Sequence, residues 1–217
     1  VNTKPGLTLD DGETTSDTFT YSTTTSDAPA VQVNVSSADA TATRTTTVQE
    51  PAFFDITIDD VTSTVTEGDQ ITIDYTVENT GESQDTQDIV LRVNGTEKNT
   101  TGGVTLSKGA STSDTFTYTA QTGDAPAVKL NVSSADDTAT QTTTVQEPPF
   151  FDVTIDDVNA TVTEGDDVTV DYTVENTGGV QDTQDIEFQV NGTSEATKSS
   201  LTLTGGETAS NTFTYST

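Results

Sequence analysis

Residues 71–77 read ITIDYTV, and this stretch decides the fold. Ile71, Ile73, Tyr75 and Val77 alternate with Thr and Asp, so that an extended chain places apolar side chains on one side and polar side chains on the other. This period of two predicts a half-buried β-strand. The alternation returns on both sides of the stretch, and no helical period competes with it. The sequence therefore predicts an all-β fold.

Neighbouring runs with the same alternation predict about seven strands in roughly 97 residues, the profile of an immunoglobulin-like antiparallel β-sandwich. Turn signals separate the runs, among them the pairs Asn94-Gly95 and Gly102-Gly103. The alternating apolar positions are Phe54, Ile56 and Ile58; Ile89, Leu91 and Val93; Val104 and Leu106; Phe116 and Tyr118; Val128, Leu130 and Val132; and Val145, at the end of a Thr-rich run.

The sequence repeats at an interval of 97 residues. FFDITIDDV at Phe53 returns as FFDVTIDDV at Phe150, and DTFTY at Asp17 returns at Asp114 and, as NTFTY, at Asn211. We predict three units: 1–49 as the C-terminal half of a repeat, 50–146 as a complete repeat and 147–217 as the N-terminal part of a third. Pro-bearing junctions without Gly or Ser favour an extended rod.

The amino-acid composition excludes several classes of partner and of catalytic chemistry for this protein. The formal net charge is -29, which disfavours nucleic acid and anionic membranes as partners. The chain has no Cys, His, Met or Trp, so disulfides, Cys/His zinc sites and thiol or imidazole catalysis are excluded. Every acidic cluster returns at the repeat interval, and copied residues indicate structure rather than a glycosidase carboxylate pair. The sequence predicts a protein that is not an enzyme.

The complete repeat resembles the CARDB family, cell-adhesion-related immunoglobulin-like domains found in tandem on prokaryotic surface proteins. The resemblance rests on FDITIDDV, on TVTEGDQITIDYTVENTG with its Glu67-Gly68-Asp69 turn, and on QDIVLRVNG. It implies an extracellular, adhesive or spacer role and no catalytic residues. The composition, rich in Asp and Thr and poor in Lys, also resembles that of secreted haloarchaeal proteins.

The acidity predicts a saline environment. A small domain suited to ordinary buffer has a net charge of about 2 to 8 in magnitude, whereas this chain carries -29. Self-repulsion at that density destabilises a compact state unless ions screen it. At about 1 M salt the Debye length falls to roughly 3 Å, so that dissolved ions screen most of the repulsion between neighbouring carboxylates. We therefore expect a haloarchaeal protein.

Three sets of residues are candidate sites. Six sequons of the form N-x-S/T predict N-glycosylation, although an Asn-Gly turn alone also explains two of them. The Pro and Phe residues between repeats predict an interdomain junction in which one Phe of each pair enters the core and the other pads the contact between units. The sequon asparagines are Asn34, Asn94, Asn99, Asn131, Asn159 and Asn191; the junction residues are Pro51, Phe53, Phe54, Pro148, Pro149, Phe150 and Phe151.

Acidic clusters raise calcium as the alternative to a purely solvated acidic surface, because hard oxygen ligands suit Ca²⁺. No D-x-D-x-D-G loop is present, so the surface interpretation is favoured and no cofactor is predicted. The clustered carboxylates are Asp59, Asp60, Glu67 and Asp69, their copies Asp156, Asp157, Glu164, Asp166 and Asp167, and the pair Asp136 and Asp137.

These observations predict a structural segment of an extracellular stalk, filament or adhesive fibre on a halophilic archaeal cell. The alternative is a carbohydrate- or surface-binding adhesion module, including that of a virus fibre. Expected partners are copies of the chain, neighbouring repeats of a longer chain, or surface glycans, without membrane insertion. Strands of the partial units are completed either by a longer chain or by strand exchange between copies, and both stay open at this point.

Overall fold

The chain, in a computed structural model that describes residues 2–216, consists of β-strands joined by turns. The first repeat contains a 3₁₀ helix, Thr25–Asp27, and strands β1 (Ala30–Ser36) and β2 (Thr41–Thr47). The second contains β3 (Phe54–Val61), β4 (Thr64–Thr66), β5 (Gln70–Asn79), β6 (Asp85–Val93), β7 (Thr96–Leu106), β8 (Ser111–Thr119), β9 (Ala127–Ser133) and β10 (Thr138–Gln146). The third contains β11 (Phe151–Val158), β12 (Asp167–Asn176), β13 (Asp182–Val190), β14 (Thr193–Leu203) and β15 (Thr208–Ser216). Within residues 2–216, no helix has the length and apolar character of a membrane span.

The second repeat is a β-sandwich. One sheet has the order β3-β5-β8 and the other the order β4-β10-β9-β6-β7. The pairs are antiparallel except for β4 with β10, which run parallel. This confirms the all-β, immunoglobulin-like prediction and adds the short strand β4, which the sequence did not indicate. Ala125-Pro126, and its copy Ala28-Pro29, are cis.

The core of this repeat lies between the two sheets. Each predicted inward position on β5 is fully buried, and Tyr75 stacks on Phe116 with ring centroids 4.8 Å apart. Burial of aliphatic and aromatic side chains from both sheets replaces the disulfide that the composition excludes. The buried apolar residues are Phe54, Ile56, Val65, Ile71, Ile73, Tyr75, Val77, Ile89, Leu91, Val93, Leu106, Phe116, Ala120, Val128, Leu130, Val132 and Val145.

The two Gly-containing signals near β7 behave differently. Asn94 and Gly95 have φ of 50° and 81°, the left-handed geometry of the predicted two-residue hairpin turn. Gly102-Gly103, expected as a turn, instead lies within β7 at a register shift. Gly103 has φ of 70° and its N–H donates to Asp88 Oδ1 at 2.8 Å, so the pair forms a β-bulge anchored by a carboxylate.

The β9–β10 turn holds the edge strand β3. Asp136 Oδ2 accepts the N–H of Phe54 at 3.0 Å, and Asp137 Oδ2 accepts the N–H of Ile56 at 2.9 Å. Ser134 Oγ donates to the Phe54 carbonyl at 2.8 Å. Unpaired edge groups of β3 are thereby satisfied by the opposite sheet, which also blocks them from pairing with another strand. We call this turn, residues 134–137, the latch.

The first repeat keeps only the hairpin of β1 and β2. These strands correspond to β9 and β10, and their inward-type residues Val33 and Val35 are 42% and 58% exposed. Residues 2–22, the copy of β7 and β8, contain no strand. In the complete repeat β7 pairs with β6 and β8 pairs with β5, and the first repeat contains neither partner within residues 2–49.

The third repeat contains, within the described residues, most of the strands that the first repeat lacks, and it has no counterpart of β9 and β10. Its sheets are β11-β12-β15 and β13-β14, the counterparts of β3-β5-β8 and β6-β7. Val153 and Ile155 are 49% and 66% exposed, whereas their counterparts Ile56 and Ile58 pack in the core of the second repeat. The copy of β4 is not a strand, because the described residues contain no counterpart of β10 to pair with it.

The latch predicts a pH-dependent stability. The N–H of Ile56, which Asp137 accepts, holds the pKa of Asp137 below its ordinary value. A depressed pKa contributes stability that is complete above the unfolded pKa of about 4 and is lost as pH falls through the folded pKa. At neutral pH we expect Asp137→Asn to lower the free energy of unfolding of the second repeat by about 1 to 2 kcal/mol, measured by chemical denaturation.

The matched control is Asp39→Asn, in the corresponding turn of the first repeat, where the carboxylate has no partner within residues 2–216. This change should leave the unfolding curve unaltered. Equal stability of the Asp137→Asn chain and the unmodified chain from pH 7 down to pH 3 would contradict the latch.

Candidate functional site: the junction between repeats

One buried asparagine organises the entry to each sandwich. Asn79, at the end of β5, is fully buried, and its Nδ2 donates to the carbonyls of Ser83 at 2.8 Å and Leu106 at 2.9 Å. Its Oδ1 accepts the N–H of Gly81 at 3.0 Å and that of Phe53 at 3.3 Å. A buried amide is tolerated because every polar atom is paired. Asn79 thus joins the core edge to the incoming chain.

The chain entering the second repeat lies directly on this turn. A side chain at Gly81 would place its Cβ 2.1 Å from the carbonyl oxygen of Pro51, so only Gly permits the approach. Ser83 Oγ also donates to the carbonyl of Glu50 at 2.9 Å. The junction residue Pro51 is therefore seated on the repeat that follows it.

The same contact recurs at the second junction. A Cβ at Gly178 would lie 2.0 Å from the carbonyl oxygen of Pro148, and Asn176 repeats the hydrogen bonds of Asn79, including one from the N–H of Phe150 at 3.1 Å. Gln146, the last residue of β10, donates from Nε2 to the carbonyl of Gly179 at 3.1 Å. This bond joins the end of the second repeat to the third.

The aromatic pairs do not form the predicted plug between units. Phe54 is fully buried in the core, as the alternation predicts, and Phe151 packs against the core of the third repeat. Phe53 and Phe150 are 44% and 63% exposed, so neither ring is a buried plug between repeats. Backbone groups, glycines and polar side chains make the contact instead. The pattern of apolar residues in the sequence does not indicate such a contact.

The acidic clusters accept hydrogen bonds from neighbouring protein groups. Asp59 accepts from Thr76 Oγ1 at 2.7 Å, Glu67 from the N–H of Gly123 at 2.7 Å, and Asp69 from the N–H of Thr66 at 3.2 Å. In the third repeat Asp156 accepts from Thr173 Oγ1 at 2.7 Å. Among residues 2–216 no three acidic side chains converge as a metal-binding group would. Calcium binding by Asp60, Asp157, Glu164, Asp166 and the others stays an untested alternative to the solvated acidic surface.

The two sheets of the second repeat differ in charge. We name β3, β5 and β8 the acidic sheet and β4, β6, β7, β9 and β10 the balanced sheet. The acidic sheet carries no Lys or Arg, and its third-repeat counterpart, β11, β12 and β15, also carries none. The acidic sheet contains Asp55, Asp59, Asp60, Asp74, Glu78 and Asp114, and the balanced sheet contains Asp85, Asp88 and Glu97 with Arg92, Lys98 and Lys129.

Five of the six sequon asparagines lie on the balanced sheet or on its counterparts in the partial repeats. Asn94 occupies the β6–β7 turn, Asn99 lies on β7 and Asn131 on β9. Asn34 on β1 and Asn191 in the β13–β14 turn are the corresponding positions of the other repeats. Asn159 alone follows the acidic-type strand β11.

Comparisons with known proteins show a family similarity in the middle of the chain. The model of the CARDB family matches residues 53–147. A solved structure that resembles the chain is the CARDB domain of a Pyrococcus furiosus protein in complex with di-metal ions, with 18% sequence identity and a TM-score of 0.37 over 43% of this chain and 94% of that one. The comparison with curated proteins found no match.

The junction predicts a specific effect of one added methyl group. In Gly81→Ala the new Cβ clashes with the Pro51 carbonyl, so the incoming chain must leave the turn. We expect a loss of about 1 to 3 kcal/mol in the free energy of unfolding and faster subtilisin cleavage within residues 48–53. Gly102→Ala is the control, because its Cβ meets only Asp88 Oδ1, at 3.4 Å. Identical cleavage rates in the two variants would show that Pro51 does not rest on Gly81.

Proposed function

We propose that the chain is a structural segment of an extracellular stalk, filament or adhesive fibre of a halophilic archaeon. The match of residues 53–147 to the model of the CARDB family supports this proposal. The observation that carries this proposal is the repeated junction. The buried Asn79 and the close approach at Gly81 recur as Asn176 and Gly178, so successive modules are joined in the same way. A chain built by repeating one module and one joint gains length rather than a unique cleft.

A non-catalytic role agrees with this arrangement. Many carboxylates accept hydrogen bonds from hydroxyl and backbone N–H groups of their own repeat, and others bond to Gln, Lys or Arg side chains. Some of these bonds recur between repeats: Thr115 Oγ1 to Asp74 and Thr212 Oγ1 to Asp171 are both 2.6 Å. Hydrogen bonds that are present in more than one repeat are typical of structural contacts. Adhesion through many identical weak contacts is compatible with a stalk of this kind.

The proposed partners are other repeats. The exposed inner face around Val153 and Ile155 matches the surface that β9 and β10 cover in the second repeat, and β1 with β2 is a hairpin of that type. We propose that a hairpin of this type covers the third repeat, supplied by a longer chain or by a second copy. The mass of the denatured native protein separates these two sources.

The halophilic part of the proposal predicts stabilisation by salt. The acidic sheet concentrates carboxylates without a compensating cation, and raising salt from about 0.1 M to 1 M shortens the Debye length from roughly 10 Å to 3 Å. We expect the unfolding transition of the chain, followed by circular dichroism in NaCl and in KCl, to shift to higher temperature as salt rises to several molar.

The control replaces two carboxylates of the acidic sheet that accept no hydrogen bond within residues 2–216, as Asp60→Asn with Glu78→Gln. With less repulsion to screen, this variant should respond less steeply to salt than the unmodified chain. A transition that does not move between low and multi-molar salt would refute the halophilic assignment.

A further inference from the structure

We infer that the chain carries N-linked oligosaccharides on the balanced sheet, with Asn94 and Asn191 at the hairpin tips as the principal sites. This inference rests on the proposed extracellular location, because N-glycosylation marks exported chains. It goes beyond the presence of the N-x-S/T pattern, because the folded structure separates the asparagines by the state of the atom that is modified.

The atom that N-glycosylation modifies is Nδ2 of the sequon asparagine. Within residues 2–216 none of the six sequon asparagines donates a hydrogen bond from Nδ2. Where their side chains bond to protein they use Oδ1, as Asn94 does in accepting the Lys129 N–H at 2.9 Å and Asn34 in accepting from Thr43 Oγ1 at 2.8 Å. The glycosidic bond leaves Oδ1 in place, so these contacts survive modification.

The buried asparagines show the opposite state. Asn79 and Asn176 each donate two hydrogen bonds from Nδ2 and are fully buried, and neither stands in a sequon, since Gly occupies the third position of both motifs. Five of the six sequon asparagines are exposed, and Asn131 is half-buried. Acceptor sequences are thus absent where a glycan would destroy the junction.

The hydroxyl of the third sequon residue ranks the sites. Thr96 and Thr193, which follow the two hairpin tips, are exposed. Thr101, which belongs to the Asn99 sequon, is half-buried and donates from Oγ1 to Asp114 at 3.3 Å. Ser133, which belongs to the Asn131 sequon, is buried and accepts from Arg92 at 3.0 Å. Ser36 and Thr161, of the Asn34 and Asn159 sequons, are also exposed. Within the complete repeat, a transferase therefore reaches the tip sequon of Asn94 more easily than those of Asn99 and Asn131.

The location of the sites also has a physical rationale. The acidic sheet repels other chains through its charge, whereas the balanced sheet lacks that protection and ends in β7, an edge strand that pairs only with β6 among residues 2–216. Oligosaccharides at the β6–β7 tip and on β7 supply bulk and hydration on this side. Charge and sugar then protect opposite faces of the same module.

The covalent step needs a lipid-phosphate-linked oligosaccharide as donor. Asn Nδ2 forms a bond to the anomeric carbon of the donor sugar, and the bond between that carbon and the phosphate oxygen breaks. The lipid phosphate leaves with the electron pair, and the Nδ2 proton passes to a base of the transferase. No oxidant or reductant is required.

Trypsin isolates Asn94 for a direct test on the chain purified from its native cells. Residues 93–98 form a peptide with Asn94 as its only asparagine, and residues 45–92 form a peptide that contains Asn79 outside any sequon. We expect mass spectrometry to find an oligosaccharide on the first peptide and none on the second. The variant Thr96→Ala should lose the oligosaccharide, whereas Thr96→Ser, which keeps the sequon, should retain it.

Thermal unfolding of both variants checks that the exposed Thr96 can be changed without loss of the fold. Protease treatment of intact cells tests the location separately. A chain that is removed from the cell surface and carries no sugar on residues 93–98, whatever other peptides carry, overturns this inference and leaves the stalk proposal intact. A chain that the protease cannot reach overturns both.

Discussion

The constraint on which the rest of the structure depends is the burial of two inner sheet faces against each other. The second and first repeats show the same strand with and without an opposite sheet. Leu130 and Val132 on β9 are fully buried, whereas their counterparts Val33 and Val35 on β1 are largely exposed, because the first repeat lacks the opposite sheet within the described residues. Nearly the same sequence is core in one repeat and surface in another. Strand formation here follows from the available partners rather than from local propensity alone.

Polar groups at the edge of the sandwich determine how modules are joined. With few apolar residues available, the sandwich cannot leave backbone groups unpaired at its ends. Asn79 pairs with backbone groups of the turn at which the chain enters the repeat, and the latch pairs with backbone groups at the edge of β3. Gly81 allows the incoming Pro51 carbonyl to lie against that turn. The joint therefore consists of hydrogen bonds and close backbone contact, which fix a geometry without adding apolar surface.

Much of this architecture follows from the sequence. Alternation located the core residues of β5, the 97-residue interval located the repeats, and Asn94-Gly95 located a hairpin turn. The sequence did not indicate β4, since three residues carry no periodicity and their partner β10 is distant in the chain. Gly102-Gly103 was wrong as a turn because a bulge needs the same left-handed residue. Asn79 was missed as the centre of the junction, because a buried amide resembles any turn residue until its partners are known.

The most direct test of the account is to complete the third repeat. Residues 121–146 contain β9 and β10, and a copy of them appended to the chain supplies the hairpin that the exposed face around Ile155 matches. Hydrogen exchange of β11, β12 and β13 should then slow to the rates of β3, β5 and β6, because both inner faces are covered. Exchange in the third repeat that stays unchanged when the hairpin is added would contradict the claim that this burial holds each module together.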